Sequence, residues 1–414
     1  MGDGAQRLIQ ADDLTGAADT AVAFAAAGER TVIVPWAAGD IGGRLDGVMR
    51  ALEPRCLAVD TGSRDVDRAE AARRAGAVAG WWSRRGHRSL YKKVDSVLRG
   101  HPGAELEAVL GALGRPRPVV VAPAYPALGR TTAGARQLVD GSPAEGDGLL
   151  ALLELDPQRT RVVSVGELRE GLSIGGEDAF VVVDAELPGD LDLLAEALAR
   201  LGAPPLLVGS GGLAAALAAC GAERSAAEHA EDRPQGRRLV VSVSRTGAAA
   251  AQIERLQELV PGLADARLDL AAMTGDERAR RREVERSAAL VRDALDGDGD
   301  ALLGVRGEAT GGHQLRRRIN RSLEQVVATA LAAAWPELVV ASGGDSALAI
   351  CTALGVEALV VERALPAGAV ESTTYGRPDP PLRLVTKSGG FGGPEALAEL
   401  CGALRREPAG SGGR

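Results

Sequence analysis

Short apolar runs alternate with longer alanine-rich segments along most of the chain. In the first half, the apolar runs predict strands at Arg7–Gln10, Thr31–Val34, Cys56–Val59, Val119–Val121, Arg161–Val165, Phe180–Val183 and Leu206–Val208. The segments between them that have helical composition include Gly16–Ala27, Asp67–Ser83 and Leu191–Leu201. This alternation is typical of an α/β fold that is built on a largely parallel sheet.

A polar segment then interrupts the pattern, and a second α/β series follows it. Residues 221–238 include Pro234 and Gly236 and indicate a linker. Beyond them we predict strands at Leu239–Val243, Leu302–Val305 and Leu338–Ala341, and helices at Thr246–Leu259, about Asp276–Leu295 and about His313–Ala334. We therefore expect two domains, each a largely parallel sheet flanked by helices, with a cleft between them. Their expected bounds are 1–225 and 239–405, with a linker at 226–238 and a disordered tail at 406–414.

Composition narrows the class of ligand. The formal net charge of the 414 residues is −8 and no basic block occurs, which argues against a sequence-independent grip on nucleic acid. Aromatic residues make up only 2%, so a base-stacking surface is not expected. No stretch of 18 apolar residues occurs, so we expect no membrane partner and a cytoplasmic location.

Two adjacent carboxylates follow the first predicted strand. Asp12 and Asp13 stand where that strand ends, and Leu14–Gly16 turn the chain into a helix. Ligands bind at the carboxyl ends of strands in open α/β sheets. The pair is therefore a candidate for taking a proton from a substrate hydroxyl, or for helping to hold Mg²⁺ directly or through water. The alternative is that one aspartate simply caps the helix.

The segment YKKVDSVLRG concentrates charge within eight residues, before a helix predicted from near Gly103. Its polar residues are Lys92, Lys93, Asp95, Ser96 and Arg99. In an extended stretch, Lys93 and Asp95 would share one face, because alternate side chains point the same way. An arginine can grip a carboxylate in a bidentate fork and a lysine can neutralise phosphate. A solvated charged loop is the alternative interpretation.

Hydroxyl and guanidinium groups follow two other predicted strands. They are Thr61, Ser63 and Arg64 after the third strand, and Arg130, Thr131 and Thr132 after the fourth. Each of these signals is weak alone. Together they predict acidic, hydroxylic and cationic groups at several strand ends, which suits a small anionic ligand.

Glycine-rich turns characterise the second half. They comprise Ser242, Ser244, Thr246 and Gly247; Ser342, Gly343, Gly344, Asp345 and Ser346; and Lys387, Ser388, Gly389, Gly390, Phe391, Gly392 and Gly393. Glycine lets backbone N–H groups approach phosphate oxygens, and a following helix N-terminus adds positive partial charge. Three such turns favour a nucleotide site over ordinary tight connections. Neither a P-loop motif nor a dinucleotide-binding G-x-G-x-x-G turn is present.

In this order, the motifs resemble those of the four-carbon acid sugar kinase family. The resemblance spans about residues 7–402, and its strongest points are ADDLTGAADT, YKKVDSVLRG, APAYPALGRTT, VVDAELPGDL, GSGGLAAALA, ASGGDS and KSGGFGG. It implies an N-terminal sugar-acid domain and a C-terminal nucleotide-binding domain. It also implies phosphorylation of compounds such as erythronate, threonate or 3-oxo-tetronate by ATP. The glycine-rich turns together with the carboxylates lead us to expect Mg²⁺ as a further cofactor.

The resemblance also assigns roles to residues. The substrate-side positions are Asp12, Asp13, Arg64, Lys92, Lys93, Asp95, Ser96 and Arg99, and the ATP-side positions are Ser244, Gly343, Gly344, Asp345, Ser346, Gly389 and Gly390. The reaction would be an in-line phosphoryl transfer, dominated by positioning and charge neutralisation. One of Asp12, Asp13 and Asp95 would take the hydroxyl proton. A homodimer is expected from fold-level analogy alone.

Departures from the family pattern bear on substrate choice. Val97 stands where threonine is usual, and His101 and Pro102 replace an asparagine and an aliphatic residue. These positions flank the presumed sugar pocket, so a kinase acting on a different hydroxy acid or amino acid is one alternative. The other is a non-catalytic nucleotide-binding regulator, although the charged strand ends argue against it.

Overall fold

The computed structural model describes residues 7–87, 89–116, 118–144, 146, 148–171, 174, 179–221, 237–244, 246–308 and 312–402. The chain divides into two compact units, Met1–Ala226 and Ala227–Arg414. The predicted disordered tail lies outside the described residues, and so does the predicted linker up to residue 236. Arg238, which we assigned to the linker, is the first residue of a strand.

The first unit is built on a parallel sheet. The strands of this unit are β1 (Arg7–Ala11), β2 (Thr31–Val34), β3 (Cys56–Asp60), β4 (Tyr91–Lys93), β5 (Val119–Ala122), β6 (Arg130–Ala133), β7 (Arg136–Val139), β8 (Ser142–Pro143), β9 (Thr160–Val163), β10 (Phe180–Val183) and β11 (Leu206–Gly209). The parallel sheet has the order β2-β3-β1-β4-β11-β5-β10-β9. Strands β6, β7 and β8 form a separate antiparallel sheet.

Helices cover the parallel sheet of the first unit. They are α1 (Leu14–Ala26), α2 (Ile41–Leu52), α3 (Arg68–Ser83), α4 (Pro102–Leu113), α5 (Leu149–Leu152), α6 (Val165–Gly171), α7 (Pro188–Ala199) and α8 (Gly211–Gly221). Helix α1 packs against α8 and α8 against α7, while α3 packs against α4. Strands β2, β3 and β5 are buried along their length, as expected for parallel strands with both faces covered.

The second unit has a mixed sheet. Its strands are β12 (Arg238–Ser242), β13 (Ala264–Asp265), β14 (Leu268–Asp269), β15 (Ala301–Arg306), β16 (Leu338–Ser342), β17 (Ala358–Leu365), β18 (Ala369–Tyr375) and β19 (Arg383–Lys387). The order is β13-β15-β12-β16-β19-β18-β17. Pairing is parallel from β13 to β19, whereas β18 is antiparallel to both of its neighbours.

The helices of the second unit are α9 (Gly247–Leu259), α10 (Leu270–Thr274), α11 (Glu277–Asp296), α12 (His313–Leu331), α13 (Gly344–Leu354) and α14 (Ala396–Leu400). Helix α9 packs against α14, and α12 packs against both α11 and α13. One core cluster joins β12, β15, β16 and β19 to α9 and α14 through residues such as Val240, Leu256 and Leu397. The unit therefore has a hydrophobic core of its own.

The prediction of an α/β fold with two domains is confirmed, and most of the predicted elements match within two residues. The predicted strand Arg161–Val165 is wrong at its end, because the strand stops at Val163 and Val165 begins α6. Thr131 and Thr132, which follow the fourth predicted strand, lie in a strand that was not predicted, the antiparallel β6. No helix in the described ranges is long and apolar enough to cross a bilayer.

Candidate active site

Topology brings the predicted substrate-side residues together. Strand β1 lies between β3 and β4 in the parallel sheet. The residues that follow these three strands therefore meet at one edge, where ligands bind in open α/β sheets. We call this group the acidic–arginine cluster, and its members are Asp12, Asp13, Arg64, Asp95 and Arg99.

Arg64 is the centre of the acidic–arginine cluster. Its Nε and Nη2 donate to the two carboxylate oxygens of Asp12, at 2.8 Å each. Its Nη1 and Nη2 also donate to Asp13, at 2.7 and 3.0 Å. Asp95 Oδ1 lies 3.5 Å from Arg64 Nη2. One guanidinium is thus shared among three carboxylates.

The sharing of Arg64 sets the charge of its partners. Burial by itself would raise the pKa of Asp12, but the guanidinium of Arg64, supported by Lys92 and Lys93, holds that pKa below its usual range. The pKa of Arg64 lies well above its usual value, because the aspartates outweigh the effect of burial. Both side chains are therefore charged at neutral pH.

Asp13 both caps helix α1 and accepts hydrogen bonds from Arg64. It caps helix α1, since its Oδ1 accepts from Gly16 N at 2.8 Å, while Thr15 Oγ1 donates to its Oδ2 at 2.8 Å. The alternative interpretation, in which one aspartate caps the helix, is therefore correct for Asp13. With Arg64 added, both of its oxygens accept hydrogen bonds.

Asp95 and Arg99 form a compact turn beside Arg64. Arg99 Nε and Nη2 donate to Asp95 at 2.9 and 2.7 Å, and the backbone N–H groups of Val97 and Arg99 add weaker bonds. Burial opposes ionisation of Asp95, yet the Arg99 bonds and the charge of Arg64 keep its pKa well below its usual range. The Arg99 side chain is 61% exposed, so it is the member of the cluster most accessible to a ligand.

The two adjacent lysines have different surroundings. Lys92 Nζ lies 2.6 Å from Glu105 Oε2 of α4, and both side chains are only 1% exposed. Lys92 is therefore placed in a buried ion pair instead of beside a ligand. Lys93 Nζ donates to Val94 O at 2.9 Å and lies on the α1 side of the sheet, close to Gly16. Ser96 is half-buried, and its carbonyl accepts from Gln137 Nε2 at 2.9 Å.

The glycine-rich turns of the second unit meet in the same way. Strands β12, β16 and β19 are neighbours, so the residues that follow them lie together. A methyl group added at Gly389 would lie 3.1 Å from Ser244 Oγ and 3.9 Å from Gly343 Cα. Gly343 has φ of 98°, in the region that favours glycine, and it caps α13. Ser244, Gly343 and Gly389 thus form one group, the glycine-turn cluster.

Serine hydroxyls fix the backbone around the glycine-turn cluster. Ser346 Oγ accepts from Val243 N at 3.1 Å and donates to Ser342 O at 2.9 Å, which ties the β12 turn to the first turn of α13. Gly344 and Asp345 begin that helix, so they lie at its positively polarised end. Nothing lies within 4 Å of a methyl group placed on Gly390. This cluster offers open backbone at a helix N-terminus, the geometry that binds phosphate.

Lys387 shapes the turn that carries Gly389. Its buried ammonium donates to Ser388 O at 2.7 Å and to Phe391 O at 2.9 Å. Gln252 Nε2 of α9 donates to the carbonyls of Phe391 and Gly392. In the described part of the chain, the N–H groups of Gly389 and Gly390 have no backbone acceptor. The carbonyls of this turn therefore accept hydrogen bonds from Lys387 and Gln252, and the N–H groups of Gly389 and Gly390 are left to bind an anion.

Two family models match this chain, one in each of its two units. Residues 8–151 match the family model described as Sugar-binding N-terminal domain, and residues 239–397 match Nucleotide-binding C-terminal domain. A D-threonate kinase of Cupriavidus necator is 33% identical, over 94% of this chain and 96% of the relative. A D-threonate kinase of Bordetella bronchiseptica is also 33% identical, over 96% and 97%. The chain belongs to the four-carbon acid sugar kinase family.

Other members of the family carry different substrate names. A 3-oxo-tetronate kinase of Cupriavidus necator is 30% identical over 95% of this chain and 96% of the relative. A crystal structure of a Haemophilus influenzae protein superposes with a TM-score of 0.67 at 20% identity, covering 95% of this chain and 99% of that one. That likeness supports the fold alone.

Among the described residues, no group of three or more histidine, cysteine or carboxylate side chains is arranged to hold a metal ion. All four oxygens of Asp12 and Asp13 accept bonds from Arg64. The pair therefore does not fit the role of direct Mg²⁺ ligands in this arrangement.

Two acidic residues of the first unit, Asp19 and Asp60, were not among the predicted site residues. Asp60 ends β3 with no exposed surface, and it accepts from Gly62 N at 2.6 Å and Trp36 N at 3.4 Å. Burial raises the pKa of Asp60 to about 7. Asp19 lies on α1, and burial raises its pKa to about 6. The motif ADDLTGAADT contains Asp19, so the motif itself was the available signal.

Proposed function

We propose that the protein is an ATP-dependent kinase that phosphorylates a hydroxyl of a four-carbon acid sugar. The observation that carries the proposal is the pairing of two built sites in one chain. The first unit has a charged, hydroxylic edge of a parallel sheet, and the second has bare glycine backbone at the N-terminus of α13. Relatives that match over most of this chain are named as kinases of D-threonate and 3-oxo-tetronate.

In phosphoryl transfer the protein does little covalent chemistry of its own. Most of the catalysis therefore comes from positioning the reactants and neutralising their charge. The glycine-turn cluster would hold the phosphates of ATP through its free N–H groups and the end of α13. Mg²⁺ would enter with ATP as the MgATP complex. Arg99 is the exposed guanidinium that would grip the carboxylate of the acid sugar.

The experiment is to incubate the full chain with MgATP and a panel of D-threonate, D-erythronate, 3-oxo-tetronate, other short hydroxy acids and hydroxy amino acids. ADP release and phosphorus NMR of the product are measured. We expect D-threonate to give the highest kcat/KM, and excess chelator to abolish turnover. Turnover only with another hydroxy acid or an amino acid would change the substrate class. Nucleotide binding without turnover of any compound would indicate a regulator.

A further inference from the structure

Asp19 lies on α1, nearly two helical turns beyond the aspartate pair, and beside the start of α8. A methyl group at Gly211, the first residue of α8, would lie 2.4 Å from Asp19 Oδ2 and 2.8 Å from Tyr125 Cε1. The carboxylate of Asp19 therefore occupies the space that a side chain at Gly211 would take. The GSGG segment, Gly209–Gly212, runs from the end of β11 into α8 and is closely packed, because Tyr91, Asp19 and Ala124 lie where its side chains would be. Strands β4, β11 and β5 end around it.

Asp19 differs from the other strand-end aspartates in its hydrogen bonds. Asp12, Asp13 and Asp95 are held by guanidinium groups on both oxygens. No hydrogen-bond donor of the described residues contacts the carboxylate of Asp19, which is half-buried. A carboxylate whose lone pairs already accept from arginine is a poor proton acceptor, whereas a free one is available.

The electrostatic surroundings of Asp19 favour proton transfer near neutral pH. Four titratable groups face it, and they are Lys93 and Tyr91 on β4, Tyr125 after β5 and Asp13 at the start of α1. Burial raises the pKa of Asp19 to about 6, with Asp13 adding to the rise and Lys93 opposing it. A general base works best with a pKa near the working pH.

One of the three lysines of the chain, Lys93, lies near Asp19. Of the 48 lysine and arginine residues, only Lys92, Lys93 and Lys387 are lysines. All three are at most 4% exposed and lie at the ends of β4 and β19. Lysine provides a compact charge where a guanidinium does not fit. Lys93 thus keeps a small positive charge between Asp19 and the acidic–arginine cluster.

Building on the proposed kinase activity, we propose that Asp19, and not Asp12, Asp13 or Asp95, accepts the proton of the substrate hydroxyl. The hydroxyl oxygen forms a bond to the γ-phosphorus of ATP while the bond from that phosphorus to the β,γ-bridging oxygen breaks, and ADP leaves. The O–H bond breaks at the same stage, and its proton moves to a carboxylate oxygen of Asp19. Release of that proton to water restores the carboxylate.

The test compares Asp19→Asn with the matched control Asp192→Asn, which makes the same change on the exposed face of α7. Phosphorylation of D-threonate, the Kd for ATP, the pH profile and the melting temperature are measured on the full chain. We expect Asp19→Asn to lower kcat by about 10²–10⁴-fold with the Kd for ATP unchanged. The parent's kcat should fall about tenfold per pH unit below pH 6, and the variant's residual rate should be flat.

Stability separates a catalytic role from a structural one. A carboxylate with a raised pKa destabilises the folded chain once it is ionised, so Asp19→Asn should keep or raise the melting temperature at pH 7.5. Asp19→Ala should recover activity when formate is added, because the space beside Gly211 can admit a small carboxylate.

Four outcomes are decisive. A large loss of kcat without a fall in melting temperature supports the role of Asp19, and so does formate rescue. An active parent with Asp19→Asn within about fivefold of it would overturn this assignment and leave the proposed function standing. A parent that phosphorylates no compound of the panel would overturn both proposals.

Discussion

Arg64 is engaged within the protein more fully than its place in the motif suggests. Its three guanidinium nitrogens all donate to Asp12 or Asp13, and its side chain is 16% exposed. From the sequence we expected Arg64 to bind the acid substrate directly. In the structure its guanidinium is bound to the carboxylates of Asp12 and Asp13, so its removal should first affect the fold.

We predict that Arg64→Ala destabilises the first unit. Removing one partner of a buried ion pair costs about 3–5 kcal/mol, and the partial exposure here reduces the expected loss to roughly 2–3 kcal/mol. Urea unfolding followed by tryptophan fluorescence measures it. Arg115→Ala, which breaks an exposed pair with Glu107, should leave the stability almost unchanged. Unchanged stability with a higher KM for the acid would instead favour the direct role.

Asp60 provides a pH prediction. Its folded pKa of about 7 lies above the unfolded value near 3.8, so the folded chain keeps a proton that the unfolded chain releases. The stability contributed by the neutral form is complete below pH 3.8 and is lost as pH rises to about 7. The loss should approach about 1.4 kcal/mol per pH unit. Asp60→Asn should remove this slope between pH 5 and 7 in urea unfolding. Equal slopes for variant and parent would contradict the assignment.

Residue types and spacing predicted which side chains gather at the strand ends, but not their partners. Lys92 and Lys93 are adjacent in sequence, yet one forms an ion pair with Glu105 and the other faces α1. Alternation along a strand predicts that they point to opposite sides. Tertiary packing decides which groups each side chain meets on its face of β4, and the local sequence does not specify that packing.

At the scale of elements, apolar runs predicted most of the buried parallel strands, but the antiparallel strands β6 and β18 and the parallel strands β4 and β19 were missed. Strands β2 and β10 were predicted at their observed bounds, because continuous apolar runs mark parallel strands with two covered faces. The antiparallel strands β6 and β18 contain arginine, threonine and glutamate, so they have no apolar run from which a strand could be predicted.

The turn after β19 leads to a prediction about ATP binding. Lys387→Met removes the donor that holds the carbonyls of Ser388 and Phe391, so Gly389 and Gly390 should lose their orientation. We expect the KM for ATP to rise roughly tenfold, equivalent to about 1.4 kcal/mol, with a smaller change in kcat. Burial lowers the pKa of Lys387 to about 8, so the parent should show a similar rise in KM above that pH.

The control for Lys387→Met is Arg255→Met, on the partly exposed face of the nearby helix α9. Gln252→Leu, which removes the second donor to the same turn, should raise the KM for ATP in the same direction. If Lys387→Met left the KM for ATP unchanged and lowered only kcat, the lysine would act on the transferred phosphoryl group instead of shaping the turn.

On the scale of the whole molecule, the two units carry different chemistry. All of the predicted substrate-side residues lie within Met1–Ala226, and all of the predicted ATP-side residues lie within Ala227–Arg414. The sequence predicted this division from the polar break before residue 239. The predicted cleft and the homodimer depend on how surfaces meet, which no motif specifies, and both stay predictions.

Each unit should bind its own ligand without the other. A fragment of residues 227–414 contains the core cluster around β12 and β16, so we expect it to fold and to bind MgATP without the first unit. A ligand at 100 times its Kd stabilises a folded protein by about 2.7 kcal/mol, so MgATP should raise the melting temperature of this fragment by several degrees. D-threonate should raise the melting temperature only of a fragment of residues 1–226. Gly389→Val should abolish the MgATP shift, because the Cβ of the new side chain would lie only 3.1 Å from Ser244 Oγ. A shift by MgATP in the first fragment alone would reverse the assignment of the two sites.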